Sequence, residues 1–236
     1  MVRTRTYISL AAVTVTAMLT AATQALATPT LRLVDVTNGE SIEITDGSSE
    51  DERAGIPGAV QFDGTLGVFD LQVTLGATKP ALGTAEKPLM RVDNFSIDFT
   101  PSASGSQELR IEFSETDYVG SGVTKFATTI GGSSSGSPEL TSEGYVNTSN
   151  ALFDTSGATQ INDFGPLSGA ITARTFTPVE FGEAVPFSLT QVLTIRGQGG
   201  DTISFDQVTE VPAPATLALL GTGLIGLGAA SRRRFS

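Results

Sequence analysis

Strict alternation of apolar and polar side chains is the feature that most constrains the fold of this chain. Residues 109–113 read Leu-Arg-Ile-Glu-Phe, and residues 95–99 read Phe-Ser-Ile-Asp-Phe. A period of two places every second side chain on one face of a β-strand, whereas a helix needs a period near 3.6 residues. No segment of residues 28–210 has a convincing helical period. The pattern therefore predicts strands with one buried face and one solvated face.

Further candidate strands alternate in the same way or are rich in threonine, and clusters of Gly, Ser, Asn and Pro separate them. They cover residues 31–36, 41–45, 66–75, 123–130, 167–176, 187–195 and 203–205, with Gln191 interrupting an apolar face. About ten short strands with such turns predict an all-β domain that forms an antiparallel sandwich or barrel. Of the two, we expect an antiparallel β-sandwich that is jelly-roll-like. The segments GGSSSGSPE (131–139) and DGSSEDERAG (46–55) are predicted to be exposed loops within this single domain.

The N-terminal residues have the three parts of a secretory signal peptide. Arg3 and Arg5 precede an apolar stretch over residues 8–19, and Ala25 and Ala27 occupy the positions that signal peptidase requires. The apolar stretch is too short for a membrane-spanning helix, which needs about 20 residues. We therefore interpret residues 1–27 as a signal peptide that is cleaved after Ala27.

The charge and composition of the remaining chain exclude several classes of function. Residues 28–210 hold all 25 acidic residues and nine of the 14 basic ones, a net charge of −16. A surface this negative repels phosphate backbones, so nucleic acid is not an expected partner. The chain has no Cys and no His, which argues against disulfides and against zinc, haem and iron–sulfur sites. No cofactor is expected, with a calcium ion as the one alternative.

The C-terminal tail has the composition of a membrane anchor. Residues 213–230 carry no charge, and 18 residues in a helix span roughly 27 Å, close to the hydrocarbon thickness of a bilayer. Arg232, Arg233 and Arg234 follow directly, and the positive-inside rule keeps such a cluster in the cytoplasm. We predict a transmembrane helix over residues 213–230, with the preceding domain outside the cell.

Val211, Pro212, Ala213 and Pro214, followed by a Gly/Leu-rich segment and an arginine cluster, resemble the PEP-CTERM sorting domain of bacterial exported proteins. The resemblance covers the last 26 residues. It implies a sorting signal that is recognised by an exosortase, a membrane enzyme, and cut near the prolines. Ala213 stands where the family usually has Glu. The two prolines keep the segment extended, which is the form that a processing enzyme can bind.

The predicted organisation is a signal peptide (1–27), an extracellular β-sandwich domain (28–210) and a sorting tail (211–236). Since PEP-CTERM proteins as a group are associated with extracellular polysaccharide and biofilm matrix, the resemblance implies a cell-surface or matrix protein. We expect a structural module rather than an enzyme. Two alternatives remain, a calcium- or glycan-binding adhesin and a polysaccharide-active hydrolase.

Candidate chemistry in the middle of the chain is sparse. The serine-nucleophile pattern at residues 132–136 lacks any histidine base. Residues 46–52 hold four carboxylates, but Asp51 and Pro57 stand at the EF-hand positions that require Gly and Glu, which leaves a loose calcium site or a solvated acidic loop. The absence of Trp and the presence of only Tyr118 and Tyr145 in the domain weaken a sugar-stacking interpretation. No catalytic, cofactor or metal residue is assigned.

Overall fold

The computed structural model describes residues 28–212, which form an all-β domain. The predicted signal peptide (1–27) and the predicted transmembrane helix (213–230) lie outside the described residues. Twelve strands follow one another in the described part: β1 Thr30–Asp35, β2 Glu40–Thr45, β3 Ala59–Leu66, β4 Phe69–Ala77, β5 Leu89–Phe99, β6 Gln107–Gly120, β7 Val123–Ser135, β8 Glu139–Asn147, β9 Thr159–Leu167, β10 Ala170–Glu180, β11 Val185–Gly197 and β12 Thr202–Glu210.

These strands form two six-stranded antiparallel sheets. The first sheet has the order β2-β1-β6-β11-β8-β9 and the second has the order β10-β7-β12-β5-β4-β3. The sheets approach each other at both edges, where β9 contacts β10 and β2 contacts β3. At the first of these corners the Thr177 hydroxyl donates to the carbonyl oxygen of Ile161 at 2.7 Å. The predicted antiparallel β-sandwich is confirmed, while its assignment to the jelly-roll type stays a prediction.

Both ends of the described chain leave the same end of the sandwich. β12 lies in the middle of the second sheet, and its last residue, Glu210, pairs with Ala127 of β7. β7 begins at Val123, directly after the turn from β6. β1 begins at Thr30, which lies opposite Ser114 and so points toward the same turn. We call this the tail-side end; it comprises the connections 46–58, 78–88, 121–122, 148–158 and 181–184.

The inward-facing side chains of the two sheets form one apolar core, as the alternation predicts. Its largest fully buried members are aromatic. The centroid of the Phe187 ring lies 4.9 Å from the ring centroid of Phe181, 5.5 Å from that of Tyr118 and 6.0 Å from that of Phe126. Aromatic pairs at such distances contribute beyond the area that they bury. This cluster joins β6 and β11 of the first sheet to β7 of the second.

A small set of polar side chains crosses the core between the sheets. Gln191, whose interruption of an apolar face was predicted, is fully buried, and its Nε2 donates to Thr209 Oγ1 at 2.8 Å. Thr209 Oγ1 also lies 3.0 Å from Thr128 Oγ1. Ser142 Oγ of the first sheet donates to Gln207 Oε1 of the second. Buried hydrogen bonds of this kind hold the sheets in one register, because a slip would leave the polar groups unpaired.

Two predicted strands, 66–75 and 167–176, correspond mostly to β4 and β10, but each was predicted to run without a break across a tight turn. The segment 66–75 contains the β3–β4 hairpin, which turns at Gly67 with φ of 57°. The segment 167–176 contains the turn between β9 and β10, where Gly169 has φ of 68°. Positive φ values favour glycine because it has no Cβ. Apolar residues flank both turns, so hydrophobicity alone does not reveal the reversal.

The predicted loop 131–139 is also largely wrong. β7 continues to Ser135, with Gly132 opposite Phe205 of β12, and β8 begins at Glu139. Strands pair through backbone hydrogen bonds, which do not require apolar side chains. This run of Gly and Ser therefore forms part of a strand although it shows no alternation of apolar and polar residues. β8 and most of β9 were missed for a related reason, since polar residues occupy several of their inward positions, including Ser142 and Asn162. The segment 46–55 is a loop, as predicted.

The aromatic core leads to a prediction about stability. Phe187→Ala should lower the free energy of unfolding by about 3–5 kcal/mol, because it removes a fully buried ring and leaves a cavity among three other aromatic rings. Urea denaturation followed by circular dichroism measures this loss. The matched control is Phe95→Ala, whose ring is 74% exposed and whose loss should change stability by no more than about 0.5 kcal/mol. Equal losses in the two variants would contradict the assigned core.

Candidate functional site

The proline motif predicted for sorting begins directly at the folded domain. Val211 and Pro212 are half-buried, and the Val211 amide donates to the carbonyl oxygen of Pro88 at 3.0 Å. The side chain of Val211 packs against the apolar core. The tail therefore starts at the end of a central strand, with no linker between them. The other predicted processing residues, Ala25, Ala27, Ala213, Pro214 and Arg232 to Arg234, lie outside the described residues.

No helix within residues 28–212 is long and apolar enough to cross a bilayer.

A shallow groove lies on the outer face of the second sheet. Its volume is about 350 Å³, and it is lined by Asn94, Phe95, Gly131, Gly132, Ser204, Phe205 and Asp206. A Cβ placed on Gly131 would meet no atom within 4 Å, so the absence of a side chain there opens the groove. A Cβ on Gly132 would overlap the Ser204 carbonyl. The two glycines thus shape a depression that small hydroxyl and carboxylate groups border.

Phe95 forms one wall of the groove, which corrects its predicted place in the core. Phe205 pairs with Asn94 and Ile203 pairs with Ile97, so β5 has one residue more than β12 between these pairs. Such a β-bulge shifts the alternation by one position. Asn94 consequently points inward beside Thr74, while the Phe95 ring is 74% exposed. The sequence sign of this shift was a change of phase, because the apolar residues fall on even positions at Met90 and Val92 and on odd positions from Phe95 onward.

Charged side chains border the groove on its β5 side. Arg91 Nε donates to Asp93 Oδ1 at 2.8 Å, and the same guanidinium pairs with Asp206. Burial raises the pKa of Asp93; Arg91 opposes this shift, and the neighbouring Asp206 carboxylate adds to it. The guanidinium holds both carboxylates together on adjacent strands. The arrangement offers fixed hydrogen-bond donors and acceptors beside an exposed aromatic ring.

The acidic loop considered for calcium uses two of its carboxylates to shape its own backbone. Asp46 Oδ2 accepts the Gly58 amide at 2.7 Å. Asp51 is buried, and its Oδ1 accepts the amides of Arg53 at 2.8 Å and Gln61 at 3.0 Å. Throughout residues 28–212, no group of three or more His, Cys, Asp or Glu side chains is placed to hold a metal ion. In the described chain this loop is a folded connection whose remaining carboxylates are exposed.

A buried ion pair that the sequence did not reveal lies between the sheets near the tail-side end. Lys79 Nζ lies 2.7 Å from Glu115 Oε1 and donates to the Thr116 carbonyl at 2.7 Å. Glu115 is fully buried, and its Oε2 accepts from Thr78 Oγ1 at 2.7 Å and from the Tyr118 hydroxyl at 3.0 Å. Burial raises the pKa of Glu115, although Lys79 opposes the shift. The pair links the segment after β4 to β6.

Comparison with known families identifies the tail. Residues 210–234 match the model of the PEP-CTERM protein-sorting motif. The resemblance seen in the sequence is thereby confirmed for the tail. The motif implies an exported protein that is sorted to the cell surface and processed by an exosortase-type enzyme. The match covers only the tail and begins at the last residue of β12.

Beyond the tail, the chain has only distant similarity to known proteins. No curated protein sequence matches it. The Arthrobacter globiformis T6 isomalto-dextranase complexed with panose is 11% identical, with a TM-score of 0.23, over 75% of this chain and 29% of that one. A structure of infectious bursal disease virus, Gx strain, is 11% identical, with a TM-score of 0.24, over 78% and 53%. The chain spans about a third of the first of these proteins and about half of the second.

The buried ion pair leads to a prediction about pH. The raised pKa means that folded Glu115 binds its proton more tightly than the unfolded chain does. The stabilisation that this tighter proton binding contributes is fully present below pH 4.5, the ordinary pKa of a glutamate. It is lost as the pH rises through the higher pKa that Glu115 has in the folded protein. From about pH 4 to about pH 7, the free energy of unfolding should therefore fall relative to that of Glu115→Gln. Urea titrations across this range measure the difference.

The control for this experiment is Glu180→Gln, which removes an exposed carboxylate from β10. Its free energy of unfolding should follow that of the natural protein at every pH. A constant difference between the natural protein and Glu115→Gln would show that the buried carboxyl does not titrate in this way.

Proposed function

We propose that this protein is a structural component of the bacterial cell surface or extracellular matrix, associated with extracellular polysaccharide. Its tail holds the exported domain at the membrane until an exosortase-type enzyme cuts near Pro212 and Pro214 and releases it for delivery. The observation that carries the proposal is the PEP-CTERM motif at residues 210–234, placed at the end of a central strand. The domain acts through binding and packing rather than through catalysis.

The design of the domain is consistent with this role. It contains no cysteine, so its stability outside the cell comes from apolar packing and buried polar contacts rather than from disulfides. The two sheets also approach each other at both edges. This close approach reduces the access of other chains to the edge strands, which limits uncontrolled strand pairing.

The sorting proposal predicts a defined C-terminus. Mass spectrometry of the exported protein should find a chain that lacks Arg232, Arg233 and Arg234. Replacing the three arginines by Ala should leave the precursor unprocessed or fully secreted, because the stop that retains the tail in the cytoplasm is removed. An exported protein that retains the intact arginine cluster would contradict sorting with cleavage.

A second candidate function, glycan binding, is favoured by the groove on the second sheet. Its exposed Phe95 ring offers a face for the C–H groups of a sugar, and Ser204 and Asp206 offer hydrogen bonds beside it. The open floor at Gly131 leaves room for a ring against the sheet. This function agrees with an association with extracellular polysaccharide. The groove is shallow, so a chain of sugars lying along it is a better fit than a single enclosed sugar.

The hydrolase and calcium alternatives have less support. Asp93 and Asp206 are the close carboxylates at the groove, but Arg91 engages both, which favours a fixed ion network over an acid and a base in separate roles. For calcium, Asp46 and Asp51 already accept backbone amides. An increase in melting temperature in millimolar calcium would restore that hypothesis, because a ligand that binds only the folded state stabilises it.

The glycan hypothesis predicts a selective effect of one exposed phenylalanine. Phe95→Ala should weaken retention on the host's extracellular polysaccharide roughly 2- to 10-fold, the effect of losing one aromatic contact. Affinity electrophoresis in gels containing that polysaccharide measures the change. Phe176→Ala is the matched control, since Phe176 is an exposed ring of the same sheet outside the groove. An equal loss in both variants, or no loss in either, would count against the groove.

A further inference from the structure

The exposed apolar side chains of the domain are unevenly distributed. Among the side chains that the structure describes within residues 28–212, seven large apolar ones have high exposure: Val36, Ile56, Phe95, Val119, Val123, Leu152 and Phe176. Four of them, Ile56, Val119, Val123 and Leu152, lie at the tail-side end, whereas only Val36 lies at the opposite end. The tail-side end is also where Val211 leads into the uncharged segment. The apolar surface is thus concentrated where the tail leaves.

The turn between β6 and β7 projects beyond the start of the tail. Glu210 lies opposite Ala127, and Val123 lies four residues further along β7 toward the tail-side end. Four strand residues span about 13 Å. Only Val211 and Pro212 separate Glu210 from the uncharged residues 213–230, and even the whole proline motif through Pro214 reaches at most about 14 Å. When the tail enters a bilayer, Val123 therefore lies at the membrane surface.

We propose that the tail-side end docks on the outer surface of the lipid bilayer while the tail is in place, with Val119 and Val123 inserted among the headgroups. Ile56 and Leu152 contact the same surface from neighbouring loops. This inference rests on the proposed function, in which residues 213–230 enter the membrane. Apolar side chains at such an interface sit at the boundary between headgroups and acyl chains. The domain is consequently held against the bilayer in one orientation before processing.

The distribution of these side chains favours a planar partner over a groove on another protein. Ile56 and Leu152 come from the long connections 46–58 and 148–158, while Val119 and Val123 flank a separate turn. Spread over the whole end, they suit a broad surface. Several acidic groups, Asp117, Glu180 and Glu183 among them, stand near this turn together with Lys125. Neutral phosphatidylcholine is therefore the appropriate lipid probe, since anionic headgroups would repel these carboxylates.

Single cysteines test the proposal, because the chain has none of its own. Val123→Cys, Val36→Cys and Thr222→Cys are each introduced into the chain from Thr28 to Ser236, labelled with an environment-sensitive fluorophore and reconstituted into phosphatidylcholine vesicles. Some vesicles contain a lipid with a nitroxide on the upper acyl chain, which quenches nearby fluorophores. Val36 is the matched control, since it is an exposed valine at the far end of the same domain.

We expect strong quenching at positions 123 and 222 and none at position 36. Quenching at 222 without quenching at 123 would overturn the docking proposal and leave the membrane tail intact. Equal quenching at 123 and 36 would also overturn it, since the domain would then have no fixed orientation. Absence of quenching at 222 would instead contradict the proposed function, on which the docking depends.

Discussion

The contact between the facing sides of two six-stranded sheets is the interaction on which the rest of this structure depends. The chain has no cysteine, so packing of the core carries the stability that disulfides supply in many exported domains. Burying one large apolar side chain contributes about 1.5–3 kcal/mol, and Phe187 and its aromatic neighbours join the two sheets directly. β12 takes part in this core through Ile203 and Phe205. The strand that leads into the tail is therefore anchored in the core.

Polar groups inside the sandwich determine which arrangement of the sheets is stable. Apolar packing alone tolerates a shift in strand pairing better than buried polar groups do, since an unpaired polar group costs about 1–3 kcal/mol. Glu115 and Lys79 form one such constraint near the tail-side end, and Gln191 with Thr209 forms another in the middle. The first links the segment after β4 to β6, and the second links β11 of one sheet to β12 of the other. A buried pair adds little net stability, but it penalises any arrangement in which its partners are separated.

The outer faces of the two sheets differ, and this difference places the candidate binding surface. On the first sheet Arg32 pairs with both Glu43 and Glu112, and Arg196 pairs with Glu108, so long charged side chains cover the strands. On the second sheet the glycines at 131 and 132 leave the backbone open next to Phe95. The proposed ligand-binding face and the end that leads into the sorting tail therefore lie on different parts of the domain.

The sequence by itself determined the β-class of the domain and the identity of the tail, because both depend on patterns that are local in the chain. Alternation with a period of two follows from strand geometry, and the proline motif with its arginine cluster is read within 26 residues. It did not reveal the turns at Gly67 and Gly169, the strand pairing of the Gly/Ser run in β7, or the outward position of Phe95. Those depend on pairing between distant segments: the bulge that turns Phe95 outward exists only because β5 lies beside β12, more than 100 residues later. Tertiary structure alone also decided that Lys79 meets Glu115 and that the exposed valines stand beside the exit of the tail, since only folding brings such separated residues together.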